Sequence, residues 1–246
     1  MYTLKKLSLV FVGGAIALTV ANPAYAISVT RGGTPVTNEG QESSVAGATT
    51  ITLDNGQVPT SGFAIFSNTN STSIVQGSVV NDHATPANDI TDFLTISPTN
   101  DNVAGNTGTV TINFAAPINY FGLYWGSVDT YNSIGFYDGN TLLTDFSTNG
   151  QTLDTSGLGG YFGGALVPQA QAVGSWTSAA DNTFVNFFAN PGESFTSVVL
   201  QSTGIAFESD NFAYVVGTPE PSSILGLLIL GALSAGTVIK GKSKSV

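Results

Sequence analysis

"GTVTINFAAP", residues 108–117, alternates apolar and polar side chains along its first seven positions. Val110, Ile112 and Phe114 fall on one side of an extended chain, and Thr109, Thr111 and Asn113 on the other. A period of two over that length predicts a half-buried β-strand. The same reading extends outward in both directions. "YNSIGFYDGNTLLTDFS", from Tyr131, predicts a hairpin with Asp138-Gly139-Asn140 as its turn. Further strands are expected at "TTITL" from Thr49, "GFAIF" from Gly62, "SIVQGSVV" from Ser73 and "FLTI" from Phe93. "NYFGLYW" from Asn119, "TFVNFF" from Thr183, "FTSVVLQS" from Phe195 and "GIAF" from Gly204 complete the set. Helical periodicity is hard to find, and Gly, Asn, Thr and Ser separate the runs. About ten short strands with turn signals between them predict an all-β fold, a single domain of β-sandwich or jelly-roll type. No fixed repeat supports a β-solenoid.

Aromatic residues concentrate in "NYFGLYWGSVDTYNSIGFY", Asn119 to Tyr137. On a strand, Phe121, Leu123 and Trp125 share the face expected to enter the core. Tyr120, Gly122 and Tyr124 share the other. Two tyrosines flanking a glycine are a candidate platform for stacking a sugar ring, although aromatics more often pack in a core. In "GIAFESDNFAYVV", Ile205 and Phe207 share one parity while Phe212 and Tyr214 share the opposite one. The break predicts a bulge or bend. It falls at Glu208-Ser209-Asp210-Asn211, where Glu208, Asp210 and Asn211 are candidate calcium ligands, since calcium collects carboxylate, amide and carbonyl oxygens. No Asp-x-Asp-x-Asp-Gly loop accompanies them, and a plain turn is the competing reading.

Charge is distributed unevenly. The six basic residues are Lys5, Lys6, Arg31, Lys240, Lys242 and Lys244. Between Ile27 and Gly217 lie Arg31 alone and 15 of the 16 acids, a formal charge of −14. Nucleic acid is therefore not an expected partner, because its recognition needs a basic footprint. The same charge favours cations. With no cysteine, disulfides and thiol chemistry are excluded, and stability must come from an apolar core.

Other chemistry finds little support. The one histidine, His83, stands in the polar stretch "NDHATPAND", reads as a solvated loop residue, and lacks a nucleophile motif nearby. Zinc sites need several Cys or His ligands. No spacing singles out a catalytic carboxylate pair. Residues 148–182 form a long Gly-rich stretch carrying Tyr161, Phe162 and Trp176, read as a surface loop, and its glycines lack the phosphate-cradle pattern. The chain is expected to be non-enzymatic.

The two ends carry the address. "MYTLKKLSLVFVGGAIALTVANPAYA" has Lys5 and Lys6, an apolar run from Leu7 to Val20, and the small-x-small triplet ending in Ala24-Tyr25-Ala26. That layout predicts a signal peptide over 1–26, cleaved before Ile27, and passage through the Sec translocon. At the other end, "TPEPSSILGLLILGALSAGTVIKGKSKSV" opens with Pro219, Glu220 and Pro221. An apolar stretch follows to Ile239, and then Lys240, Lys242 and Lys244. The expected organisation is an extracytoplasmic domain over 27–217 and a tail over 218–246 with a transmembrane helix at 222–239. The lysines place the C-terminus in the cytoplasm.

This tail resembles a PEP-CTERM sorting segment: Pro-Glu-Pro, a membrane run, and a basic end. The resemblance covers the last 28 residues, and its lysines alternate with Gly and Ser where that family is often arginine-rich and contiguous. It implies recognition by an exosortase, a membrane-embedded transpeptidase-like enzyme, and transfer from the inner membrane to the cell surface or extracellular matrix. "YFGLYWGSVDTYNSIGFYDG", "FVNFF" and "IAFESDNFAYVV" resemble, more loosely, exosortase-dependent surface proteins of Gram-negative and cyanobacterial type. That group has no established activity. An exopolysaccharide-associated binding module is the alternative reading, and a glycoside-acting enzyme the least favoured.

Overall fold

The computed structural model describes residues 27–98, 107–126, 128–129, 131–147 and 182–217. The expected signal peptide, with Ala24 and Ala26, lies outside the described residues. So do the Pro219-Glu220-Pro221 motif, the 222–239 span, Lys240, Lys242 and Lys244, and positions 148–181 of the long Gly-rich stretch. Among the described residues every regular element is a strand, and no helix is long and apolar enough to cross a membrane.

The strands are β1 (Ile27–Arg31), β2 (Thr34–Val36), β3 (Gly40–Glu42), β4 (Thr49–Ile51), β5 (Ala64–Asn70), β6 (Thr72–Val75) and β7 (Phe93–Ile96). They continue as β8 (Gly108–Gly126), β9 (Asn132–Asp138), β10 (Thr141–Ser147), β11 (Thr183–Ala189), β12 (Phe195–Ser202) and β13 (Phe207–Val216). Eleven of them form one antiparallel sheet, and β2 and β3 form a separate hairpin.

β8 organises the molecule. Its first half pairs with β5 on one edge and β12 on the other, and β12 leads on to β9 and β10. Its second half pairs with β11 and β13, which lead on to β1, β7 and β4. The partners change over at Ala115-Ala116-Pro117. Proline has no amide hydrogen to give a ladder, so it sits where one set of neighbours ends. Its carbonyl still accepts from Gly217 N at 2.9 Å.

The alternation that predicted the strand holds: Val110 and Ile112 are fully buried, and Asn113 is exposed. Phe121, Leu123 and Trp125 continue into the same core. Rings from strands that share no ladder meet there. Phe136 of β9 lies 4.9 Å from Phe187 of β11, and Phe66 of β5 lies 5.3 Å edge-on from Phe212 of β13. The sheet therefore doubles over one apolar core, an arrangement consistent with a β-sandwich. Two expected strands, at 108–117 and from Asn119, are one continuous strand. The run expected from Ser73 is strand only to Val75. The hairpin at β9 and β10 turns at Gly139, whose φ of 56° suits glycine.

Candidate functional site

The outer face of the second half of β8 is where the expected sites converge. Tyr120 and Tyr124 are 2% and 1% exposed. They pack with Phe184 and Ala213, against Val45, Ala48, Phe188 and Val215. A sugar platform needs open ring faces, so the expectation for Tyr120 and Tyr124 is corrected: they form a second core. Their hydroxyls are also committed. Tyr120 donates to Asn186 Oδ1 at 2.8 Å and lies 2.7 Å from Ser43 Oγ, and Asn186 Nδ2 donates to Gly32 O at 2.9 Å. Tyr124 donates to the Ala87 carbonyl. Burial pushes the Tyr120 phenol up to about 12 and raises that of Tyr124, on which nearby Asp89 also acts.

The β2–β3 hairpin and the loop between β6 and β7 close over Tyr124, while Tyr120 meets Ser43, just after β3, and the Phe188 ring at 5.0 Å. Gly40, at φ 70°, sits against the Tyr124 ring, where any Cβ would overlap it. Gln41 Oε1 accepts from Gly33 N at 3.1 Å and from Phe184 N at 3.2 Å. Gly40 N donates to Asn88 O at 3.1 Å, Ile90 N donates to Asn38 O at 2.8 Å, and Glu39 bridges to Asp89.

The expected bulge is present. β13 shifts register against β8 between Asp210, opposite Tyr124, and Ala213, opposite Gly122. Asn211 takes φ 49°, a left-handed conformation that Asn tolerates better than most residues. Of the three candidate calcium ligands, Glu208 is 2% exposed, and its Oε1 accepts from Ala84 N at 2.9 Å. Asp210 and Asn211 are fully buried. Asn211 Nδ2 donates to Glu39 O at 2.7 Å and to Gln41 O at 3.2 Å. Both Asp210 carboxylate oxygens and Asn211 Oδ1 are buried with no hydrogen-bond partner.

Asp89 joins them. It is 2% exposed, its Oδ1 accepts from Thr91 N at 2.9 Å and Thr91 Oγ1 at 2.7 Å, and its Oδ2 has no partner. Burial raises the Asp89 carboxyl above the usual range, the Thr91 bonds oppose this, and Asp54 and Glu39 push it higher. Burial is also the main reason Asp210 is pushed up to about 8, with Asp89 and Asp54 adding to it. The Asn211 and Leu53 amides pull it part of the way back, although neither closes a well-formed hydrogen bond onto it. Among the described residues, no group of three or more His, Cys, Asp or Glu side chains is placed to hold a metal ion.

His83 is 8% exposed, so the solvated reading is corrected. Its ring meets Phe93 edge-on at 5.9 Å, and its Nδ1 lies 3.2 Å from Asp82 Oδ2. It borders a cavity of about 460 Å³ that also touches Asp82, Asp129, Tyr131 and Glu208. Tyr131 lines it too, donating to Asp129 Oδ2 at 2.6 Å and lying against the Ile205 carbonyl.

No family model matches the chain, and no curated protein matches it. The residues that sequence reasoning missed here are Gln41, Asp89 and the β2–β3 hairpin. The only local signals were short Asn-Asp and Asn-Glu turn pairs, which are common in any loop.

Proposed function

We propose that the protein is an exported, non-enzymatic component of the cell surface or extracellular matrix, a β-sandwich domain of jelly-roll type delivered by a PEP-CTERM tail. The observation that supports this reading is that the strands at both ends of the expected 27–217 domain are paired within it. Ile27, the residue expected after signal cleavage, pairs with Ala189 in the β1–β11 ladder. β13 ends at Val216, Gly217 N is held by Pro117 O, and Pro219 follows two residues on. Each expected processing point thus lies beside a paired strand, so cleavage there would leave both strands whole. Recognition by the translocon and an exosortase, with an inner-membrane intermediate, follows from the same reading.

The non-enzymatic part is carried by the sequence, where no nucleophile motif accompanies His83 and no spacing singles out a carboxylate pair. The alternative, saccharide binding, is supported by the cavity beside His83, whose size falls within the range of small-ligand sites. It no longer involves Tyr120 or Tyr124.

The test replaces Pro219-Glu220-Pro221 with alanines in the native host and follows both proteins by fractionation. The wild type is expected at the surface or in the medium and the variant in the inner membrane. Identical distributions would contradict the proposal.

A further inference from the structure

We infer that Asp210, Asn211 and Asp89 bind a divalent cation of the hard, oxygen-seeking class to which calcium belongs. The inference stands whatever the destination of the protein.

Three elements close on this point. The β13 bulge supplies Asp210 and Asn211. The β2–β3 hairpin reaches Asn211 through Glu39 O and Gln41 O. The loop between β6 and β7 brings Asp89, bridged to Glu39. Tyr124 ties the loop to the bulge, since it faces Asp210 across the ladder and donates to Ala87 O two residues before Asp89.

The chemistry of the free atoms decides what fits. Asp210 Oδ1 and Oδ2, Asn211 Oδ1 and Asp89 Oδ2 are all buried and receive no well-formed hydrogen bond. The Asn211 amide is not reversible. Two backbone carbonyls hold one end of it, which only the NH₂ group can satisfy, so the oxygen is the free end. With both carboxylates ionised, as cation binding requires, all four atoms are acceptors, and acceptors cannot satisfy one another. Orphaned polar atoms at full burial are rare in folded proteins and call for an ion or water. Among the described residues the one lysine or arginine is Arg31, on β1, and no hydrogen bond from it reaches these atoms. Two carboxylates neutralise one divalent ion. Calcium accepts irregular sets of carboxylate, amide, backbone and water oxygens, whereas magnesium demands a near-ideal octahedron. Glu208, expected from sequence to take part, gives its Oε1 to Ala84 N instead.

The test uses the full chain in mild detergent, stripped with EDTA. Added calcium at about 1 mM, the range of extracellular sites, is expected to raise the Tm by several degrees, and magnesium less. Terbium, a calcium mimic excited through nearby rings, is expected to luminesce beside Tyr124 and to be displaced by calcium. Asp210→Asn and Asp89→Asn are each expected to weaken the apparent affinity at least tenfold, while Asp138→Asn, at an exposed turn, leaves it unchanged. The inference is overturned if neither ion gives a saturable response in the wild type, or if the response survives in both aspartate variants. Should Asp210→Asn fail to fold, Asp89→Asn and the terbium competition decide the matter alone.

Discussion

Phe207 and Phe212 enter the same core from one strand although an odd number of positions separates them. Strict alternation would send one ring into the interior and the other outward. The extra residue at the Asp210–Asn211 bulge restores the parity. Phe207 can then stack on Trp125 at 4.5 Å, and Phe212 can meet Phe66 at 5.3 Å. The same insertion leaves Asn211 facing the hairpin, where it donates to Glu39 O and Gln41 O.

Asn211 carries both a backbone and a side-chain role, and two substitutions separate them. Asn211→Gly loses the bonds to Glu39 O and Gln41 O, about 1–3 kcal/mol together. Asn211→Ala loses the same bonds and adds about 1–2 kcal/mol for a left-handed conformation at a residue with a Cβ. Urea unfolding of both variants should rank glycine as the milder change. Equal losses would mean that the bulge conformation stores no such cost.

Hairpin docking has its own test. Gln41→Ala strands the Gly33 and Phe184 amides in a part-buried site, at a cost of about 1–3 kcal/mol. Gly40→Ala should act on the same contact by forcing Tyr124 aside. Amide hydrogen exchange is expected to rise across residues 34–42 in both variants. Exchange that stays at wild-type levels would show that the hairpin is held by other contacts.

Stability should depend on pH through Asp210. Its carboxyl is raised from 3.8 to about 8 in the folded protein, so between those values the folded state holds a proton that the unfolded chain releases. The stabilisation is complete below the unfolded pKa and is lost as pH rises towards 8. The slope is at most about 1.4 kcal/mol per pH unit for one group. In EDTA, the Tm of the wild type should fall between pH 5 and about 8, and Asp210→Asn should flatten that fall. A parallel decline in the variant would assign the effect to other groups, of which Asp89 and Asp145 are also raised.

Much of the fold was legible because alternation survives in the strands that line the core. Val110, Ile112 and Phe114 point inward as their spacing required, and the parity break in "FESDNFAY" located the bulge. What failed was inference about cover. Tyr120 and Tyr124 look like an outward face from β8 alone. They are buried by the short hairpin, the segment that follows it and a turn-rich loop, none of which has a periodic pattern to read. His83 was misjudged for the same reason, since its polar neighbours in sequence do not reveal Phe93 beneath it. Asp89 stands more than a hundred positions before the bulge and is bridged to Glu39 of the hairpin, an approach that no local pattern encodes.

The central claim is that a folded domain from Ile27 to Gly217 is released from two processing segments. Intact-mass measurement of the protein recovered from its native host tests it most directly. The account predicts a species that begins at Ile27, ends near Pro219–Pro221 and lacks residues 224–239. A mass that extends to Val246 would contradict it, leaving a protein whose tail is never removed.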